Sequence, residues 1–192
     1  RKNPRQMLDY FGYFNPVIIG AAWSLATAKQ PARVIGDAHY EVAAQLGREK
    51  LTDMPGLNEF TAAMEKVFNA ADPDGLALFA AFKSMPLAED TPARAMQLAA
   101  SLREFRGSAH LIAIRAVGLT SKQAHYVKRP NDVKGFGWGE DDAPVVDDQV
   151  RALMVEAEKL TDALCIPAYS VLNEAERKAL VDGAKAFESA LK

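Results

Sequence analysis

Arg103, Arg106 and His110 stand at i, i+3 and i+7 within Leu102-Arg-Glu-Phe-Arg-Gly-Ser-Ala-His110, a spacing that brings all three to one face of a helix. Two guanidiniums offer forked donors that match a carboxylate or phosphate, and an imidazole beside them can donate, accept or shuttle a proton near neutral pH. Gly107 lies inside that helix at a cost of about 1 kcal/mol relative to alanine, which reads as room kept for a ligand or an adjoining backbone. Pairing of both arginines with surface acids is the plainer account of the same residues. A second cluster, Asp37-Ala-His39-Tyr40-Glu41, sets Asp37 and Glu41 one turn apart with His39 elsewhere. It lacks the His-Glu-x-x-His spacing and the ligand set of a catalytic zinc, so no metal is expected. His39 reads as a half-buried, hydrogen-bonded histidine, and Cys165 beside Leu164 and Ile166 as a buried, inert thiol.

Nucleotide-binding turns are absent: there is neither a Gly-x-Gly-x-x-Gly after a strand nor a Gly-x-x-x-x-Gly-Lys-Ser/Thr loop. Gly135-Phe-Gly-Trp-Gly139 lies among acids and reads as a flexible lid carrying two aromatics. The stretch from His110 through Gly118 to Arg129 reads as helix, glycine turn, helix. Its second helix offers Lys122, Gln123, Tyr126, Lys128 and Arg129, side chains suited to phosphates and base edges. Against that reading, Ile114 stands where a helix-turn-helix usually has a small residue, and an acidic loop follows directly. The 23 basic and 25 acidic residues leave a formal charge of −2, without the cation excess of a nucleic-acid coat. Weak or absent binding to duplex DNA in isolation is the expectation.

The elements that must position these residues are helical. Ala, Leu, Glu, Lys and Gln dominate at three- and four-residue spacing, and alternating β-branched runs are rare. Asn15-Pro16, Pro31 and Thr91-Pro92 read as helix starts, and Asp72-Pro73 as a restart. Leu57, Phe60, Ala63, Met64, Val67 and Phe68 form one apolar stripe. Thr120 with Gln123, and Asn173 with Glu176, read as capping boxes. Val146, Val150, Leu153, Ala157, Leu160 and Leu164 alternate four- and three-residue steps, a coiled-coil-like seam that points to a homodimer, the alternative being that the C-terminal pair packs on the chain's own core. Leu172, Ala175, Ala179, Phe187 and Leu191 stripe the last helix. The expected architecture is all-α, a multi-helix bundle with a C-terminal helical pair, divided into a core at 1–130, a loop or lid at 131–148 and the pair at 149–192. The apolar run Gly12–Ala28 falls short of the ~20 residues of a membrane span, and no signal peptide is read. One cysteine in 192 residues excludes a disulfide framework and suits the cytoplasm.

Leu102-Arg-Glu-Phe-Arg-Gly-Ser-Ala-His110 followed by Gly118-Leu119 resembles a Leu-Arg-Glu-His-Arg-Gly-Asp-Gly-His block and Gly-Leu of an uncharacterised, mainly actinobacterial helical family carrying a winged-helix portion like that of MarR-type regulators. Tyr13-Phe14-Asn15-Pro16 with Trp23, the Pro86–Pro92 approach and Glu158-Lys-Leu-Thr-Asp162 add to the likeness. Phe105 replaces the family's histidine, Ser108-Ala109 replaces Asp-Gly, and a short loop at 131–148 stands where the wing would be. The resemblance implies a mostly helical domain with a polar pocket lined by Arg103, Arg106 and His110, and a terminal helical pair that dimerises. The leading functional expectation is therefore binding of a small polar or anionic ligand around Arg103, Arg106, Gly107 and His110. A MarR-like, ligand-responsive DNA-binding regulator is one alternative, and an enzyme using His110 as acid or base the other. The sequence names no cofactor and no established catalytic residue.

Overall fold

The computed structural model describes residues 12–192, and among them finds eight α-helices and no strand. In α1 (Pro16–Lys29) the Asn15 side chain accepts from the Val17 amide and Pro16 occupies the first turn, as the dipeptide predicts. After α2 (Ala32–Lys50), Gly56 takes a φ of 70° and starts α3 (Leu57–Ala70). Its buried side chains are the predicted stripe plus Thr61, whose hydroxyl donates to the Leu57 carbonyl. The restart at Asp72-Pro73 is delayed, because Asp72 Oδ1 accepts from the Asp74 amide in a local turn and α4 begins only at Ala77 (Ala77–Lys83). There follow α5 (Thr91–Ala116), α6 (Ser121–Lys128), 3₁₀ turns at Val133–Phe136 and Glu140–Asp142, α7 (Asp148–Tyr169) and α8 (Glu174–Ala190). Both expected capping boxes form, at Thr120/Gln123 and Asn173/Glu176.

Two compact units divide the chain otherwise than the predicted 1–130, 131–148 and 149–192. One comprises the described residues up to Ala32 with Ala109–Ala163, the other Arg33–Ser108 with Leu164–Lys192. Residues of both α5 and α7 fall in each unit.

In the second unit α8 packs on α3. The apolar stripe expected along α8 is corrected: Ala175 and Leu191 are exposed, and the buried contact is Gly183, where an added Cβ would collide with the Phe60 ring. Phe187 lies 5.8 Å from that ring, and Lys66 pairs with Glu176. Tyr40 and Ser101 share a buried 3.1 Å hydrogen bond. His39 is exposed, edge-on to Phe82, rather than half-buried.

The first unit has a core of Ala113 and Ile114 from α5, Leu119, Ala124 from α6, and Val150, Met154 and Ala157 from α7. Leu153, Leu160 and Val146 pack against it. The α7 stripe is thus wider than a coiled-coil seam, since Met154 and Thr161 are buried beside the four-three positions. It docks on its own chain, and a homodimer through it would have to break that core. α1, uncharged from Pro16 to Ala28, buries no residue, and Val17 is 76% exposed. No helix among the described residues is long and apolar enough to cross a membrane.

Candidate functional site

The inward-facing trio expected on α5 is not what the structure holds. Arg103 and Arg106, in the second unit, are exposed, and the Arg103 side chain (83% exposed) lies 3.6 Å from Glu104. Burial raises the Glu104 carboxyl above the usual glutamate range, against the opposing pull of Arg103 and His39. No neighbour depends on Gly107 being a glycine: an added Cβ would meet only Glu104 Oε2, at 4.0 Å. His110, in the first unit, is buried, with Nδ1 2.7 Å from Thr161 Oγ1. The Thr161 hydroxyl donates to the Ala157 carbonyl at 2.7 Å, so toward His110 it can only accept. Nδ1 therefore carries the proton, and the imidazole ties α5 to α7 with Tyr13 stacked 6.4 Å away. Helical spacing placed the three on one side but could not say what stood beside each. Cys165 is buried, as its neighbours Leu164 and Ile166 suggested. No metal-holding group of His, Cys, Asp and Glu occurs among the described residues.

The second constellation, from α5 through Gly118 to α6, is built with sharp local geometry. Gly118 adopts a φ of 88°; its amide donates to the Arg115 carbonyl at 3.1 Å, and the Leu119 amide donates to the Ile114 carbonyl at 2.9 Å. These are the paired bonds of a Schellman ending, with its usual hydrophobic contact supplied by Ile114 and Leu119, both fully buried. Ile114 is thus accommodated as a core residue despite its bulk. Arg115 Nη1 donates to the Leu119 carbonyl at 3.0 Å, and Thr120 then caps α6. The corner is fixed, and with it the direction of α6.

Four of the five polar side chains singled out on and after α6 already have partners in the chain. Lys122 Nζ lies 3.7 Å from Asp142 Oδ1 and 4.5 Å from the centre of the Trp138 ring. Gln123 completes the capping box at Thr120. Tyr126 donates its hydroxyl to the Gly139 carbonyl at 3.1 Å, and burial, then Asp142, holds its phenol above the ordinary value. Lys128 Nζ meets Glu158 Oε1 of α7 at 2.7 Å. Arg129 is exposed at the C-cap. On the inner side His125 is buried 4.3 Å from Phe136 and 6.3 Å from Tyr13, and its Nε2 has no partner among the described residues. Burial first, then Arg129, lowers its pKa, with Asp132 opposing.

The glycine-rich loop after α6 is pinned rather than free, which corrects the flexible lid. Asn15 donates from its amide to the Phe136 carbonyl and from Nδ2 to the Gly137 carbonyl, both at 2.9 Å. Trp138 Nε1 donates to the Tyr13 carbonyl at 2.8 Å, and Phe14 and Phe136 rings lie 4.4 Å apart. Gly137, at a φ of 81°, has no room for a Cβ, which would fall 2.6 Å from Ile18 Cγ1. Sequence reasoning missed Asp142 and Glu158 as partners of the α6 lysines. The only signal for them was the opposite charge of loop and helix.

No curated protein and no solved structure matches the chain. The model of a helix-turn-helix family matches residues 4–140, which take in the corner from α5 through Gly118 to α6 and most of the loop beyond it. With most of its length matched, and a helix–glycine–helix corner inside the match, the chain belongs to that helix-turn-helix family.

Proposed function

We propose that this protein is a DNA-binding regulator that presents α6 to duplex DNA. The observation that carries the reading is the fixed corner at Gly118, which holds α6 over a dedicated core with Lys122, Gln123, Tyr126, Lys128 and Arg129 on the helix or its C-cap. Lys128 and Arg129 would take phosphates, and Lys122 and Tyr126 would approach the groove once released from the loop. The likeness of the Arg-Gly-His block to MarR-associated proteins, and a cytoplasmic place suggested by the lone cysteine, agree with a regulatory role. The small-ligand and acid–base readings draw less support, because Arg103 and Arg106 face solvent and His110 spends Nδ1 on Thr161. A homodimer reading two half-sites would use a surface other than the α7 stripe.

Fluorescence-anisotropy titration of a mixed-sequence duplex tests the reading. Binding in the ~10⁻⁴–10⁻⁶ M range of non-specific association is expected at low salt, and the double variant Lys128→Ala/Arg129→Ala should weaken it and flatten the salt slope by nearly 2, at about 0.9 per phosphate contact. The Lys128–Glu158 pair is a surface contact, so its loss should cost little stability. No binding at about 50 mM salt, or binding indifferent to the double variant, sinks the proposal.

A further inference from the structure

The acidic loop after α6 covers part of the face that the helix would turn to DNA. Asp142 makes two contacts, Oδ1 toward Lys122 at 3.7 Å and Oδ2 accepting from the Gly139 amide at 2.7 Å. Trp138 lies over the same lysine, and the Gly139 carbonyl takes the Tyr126 hydroxyl. Resting on the reading of α6 as the DNA-facing helix, we propose that Trp138–Asp142 is an autoinhibitory strap, an internal competitor that occupies Lys122 and Tyr126 in place of DNA phosphates.

Three observations support it beyond the contacts themselves. The strap has its own anchorage, through Asn15 and Tyr13, on the segment before α1, so it stays near α6 when its tip lets go. Asp142 at its tip is a carboxylate beside Lys122, with Asp141 exposed next to it in the chain, so a phosphate approaching Lys122 meets like charge until the tip withdraws. Gly139, between the Trp138 anchor and Asp142, gives the tip backbone freedom to withdraw without unwinding an α-helix, unlike Glu158, which is fixed on α7. DNA binding and strap release are then one coupled equilibrium, and the apparent affinity is reduced by the fraction of molecules that are strapped.

The decisive experiment is the same anisotropy titration over a range of salt with Asp142→Asn, which removes the charge and leaves the loop's bulk in place. Affinity about 3- to 10-fold tighter than wild type is expected, with a salt slope steeper by about 1 as Lys122 gains a phosphate. Adding Lys122→Ala to Asp142→Asn should abolish the gain. Asp141→Asn makes the same change in net charge at an exposed neighbour and should gain clearly less. Trp138→Ala is a second route to release, accepted only with a circular-dichroism spectrum and melting curve showing a folded chain. Wild-type affinity and slope for Asp142→Asn, or an equal gain from Asp141→Asn, overturns the strap while leaving the DNA reading intact if Lys128→Ala/Arg129→Ala still weakens binding. Should no form bind duplex at low salt, both fall together.

Discussion

His125 shows how a single side chain couples packing to pH. It is buried on α6 between Phe136 and Tyr13, with Nε2 unpartnered among the described residues, and burial together with Arg129 holds its pKa below the ordinary 6.5 although Asp132 pulls the other way. Between the lowered folded value and the ordinary unfolded one, the unfolded chain binds a proton that the folded chain refuses. Stability therefore falls as pH drops below about 6.5 and levels off, for this residue, under the folded value. Urea denaturation between about pH 7.5 and 5, above most carboxylate titration, should show that loss. His125→Phe, which keeps a ring against Phe136, should remove this component. An undiminished loss in the variant would assign the effect to another group. His110 contrasts with it, since its Nδ1 proton has Thr161 as acceptor.

Among the helices, two glycines with the same intrinsic cost have opposite surroundings. Gly107 in α5 has nothing nearer than Glu104 Oε2 at 4.0 Å from an added Cβ, so Gly107→Ala gains helix propensity and loses no packing. It should stabilise the protein by about 0.5–1 kcal/mol. Gly183 in α8 lies where a Cβ would overlap the Phe60 ring, so Gly183→Ala must push α8 off α3 and should destabilise by about 1–3 kcal/mol. Thermal and urea denaturation of the pair check both signs. A destabilising Gly107→Ala would restore a close neighbour or ligand to that site. Neither sign could be read from composition, because the helical pattern around both residues is continuous.

For the whole molecule, the boundary of the family match and the boundary of the structure differ. The match ends at residue 140, yet the core that supports the α5–Gly118–α6 corner takes Val150, Met154 and Ala157 from α7. A chain ending at residue 140 should consequently lose the far side of that core. It should show reduced helicity, no cooperative melting transition and no duplex binding that depends on Lys128 and Arg129. A truncated chain that melts cooperatively near the full-length temperature would show α7 to be dispensable for the corner. The net charge of −2 acts at this scale too: with no global cation excess, the proposed DNA binding would depend on a few exposed cations, and Asp142 and Glu158 pair with two of the candidates, Lys122 and Lys128.

The amino-acid pattern alone determined the all-helical class, most helix starts and both capping boxes, since proline, Asn and Thr caps and the three- and four-residue apolar steps act within one or two turns. It also marked the glycine corner at Gly118, whose positive φ and Schellman bonds are local. Tertiary structure decided everything that depends on neighbours distant in the chain. Arg103, Arg106 and His110 share a helical face by spacing, yet the arginines are exposed and the histidine is tied to Thr161, because one long helix passes through different surroundings. The four-three stripe of α7 reads as a coiled-coil seam, yet Met154 and Thr161 are buried beside it. The glycine-rich loop became a pinned strap through Asn15 and Tyr13, more than a hundred residues upstream, and a one-dimensional pattern carries no record of such contacts.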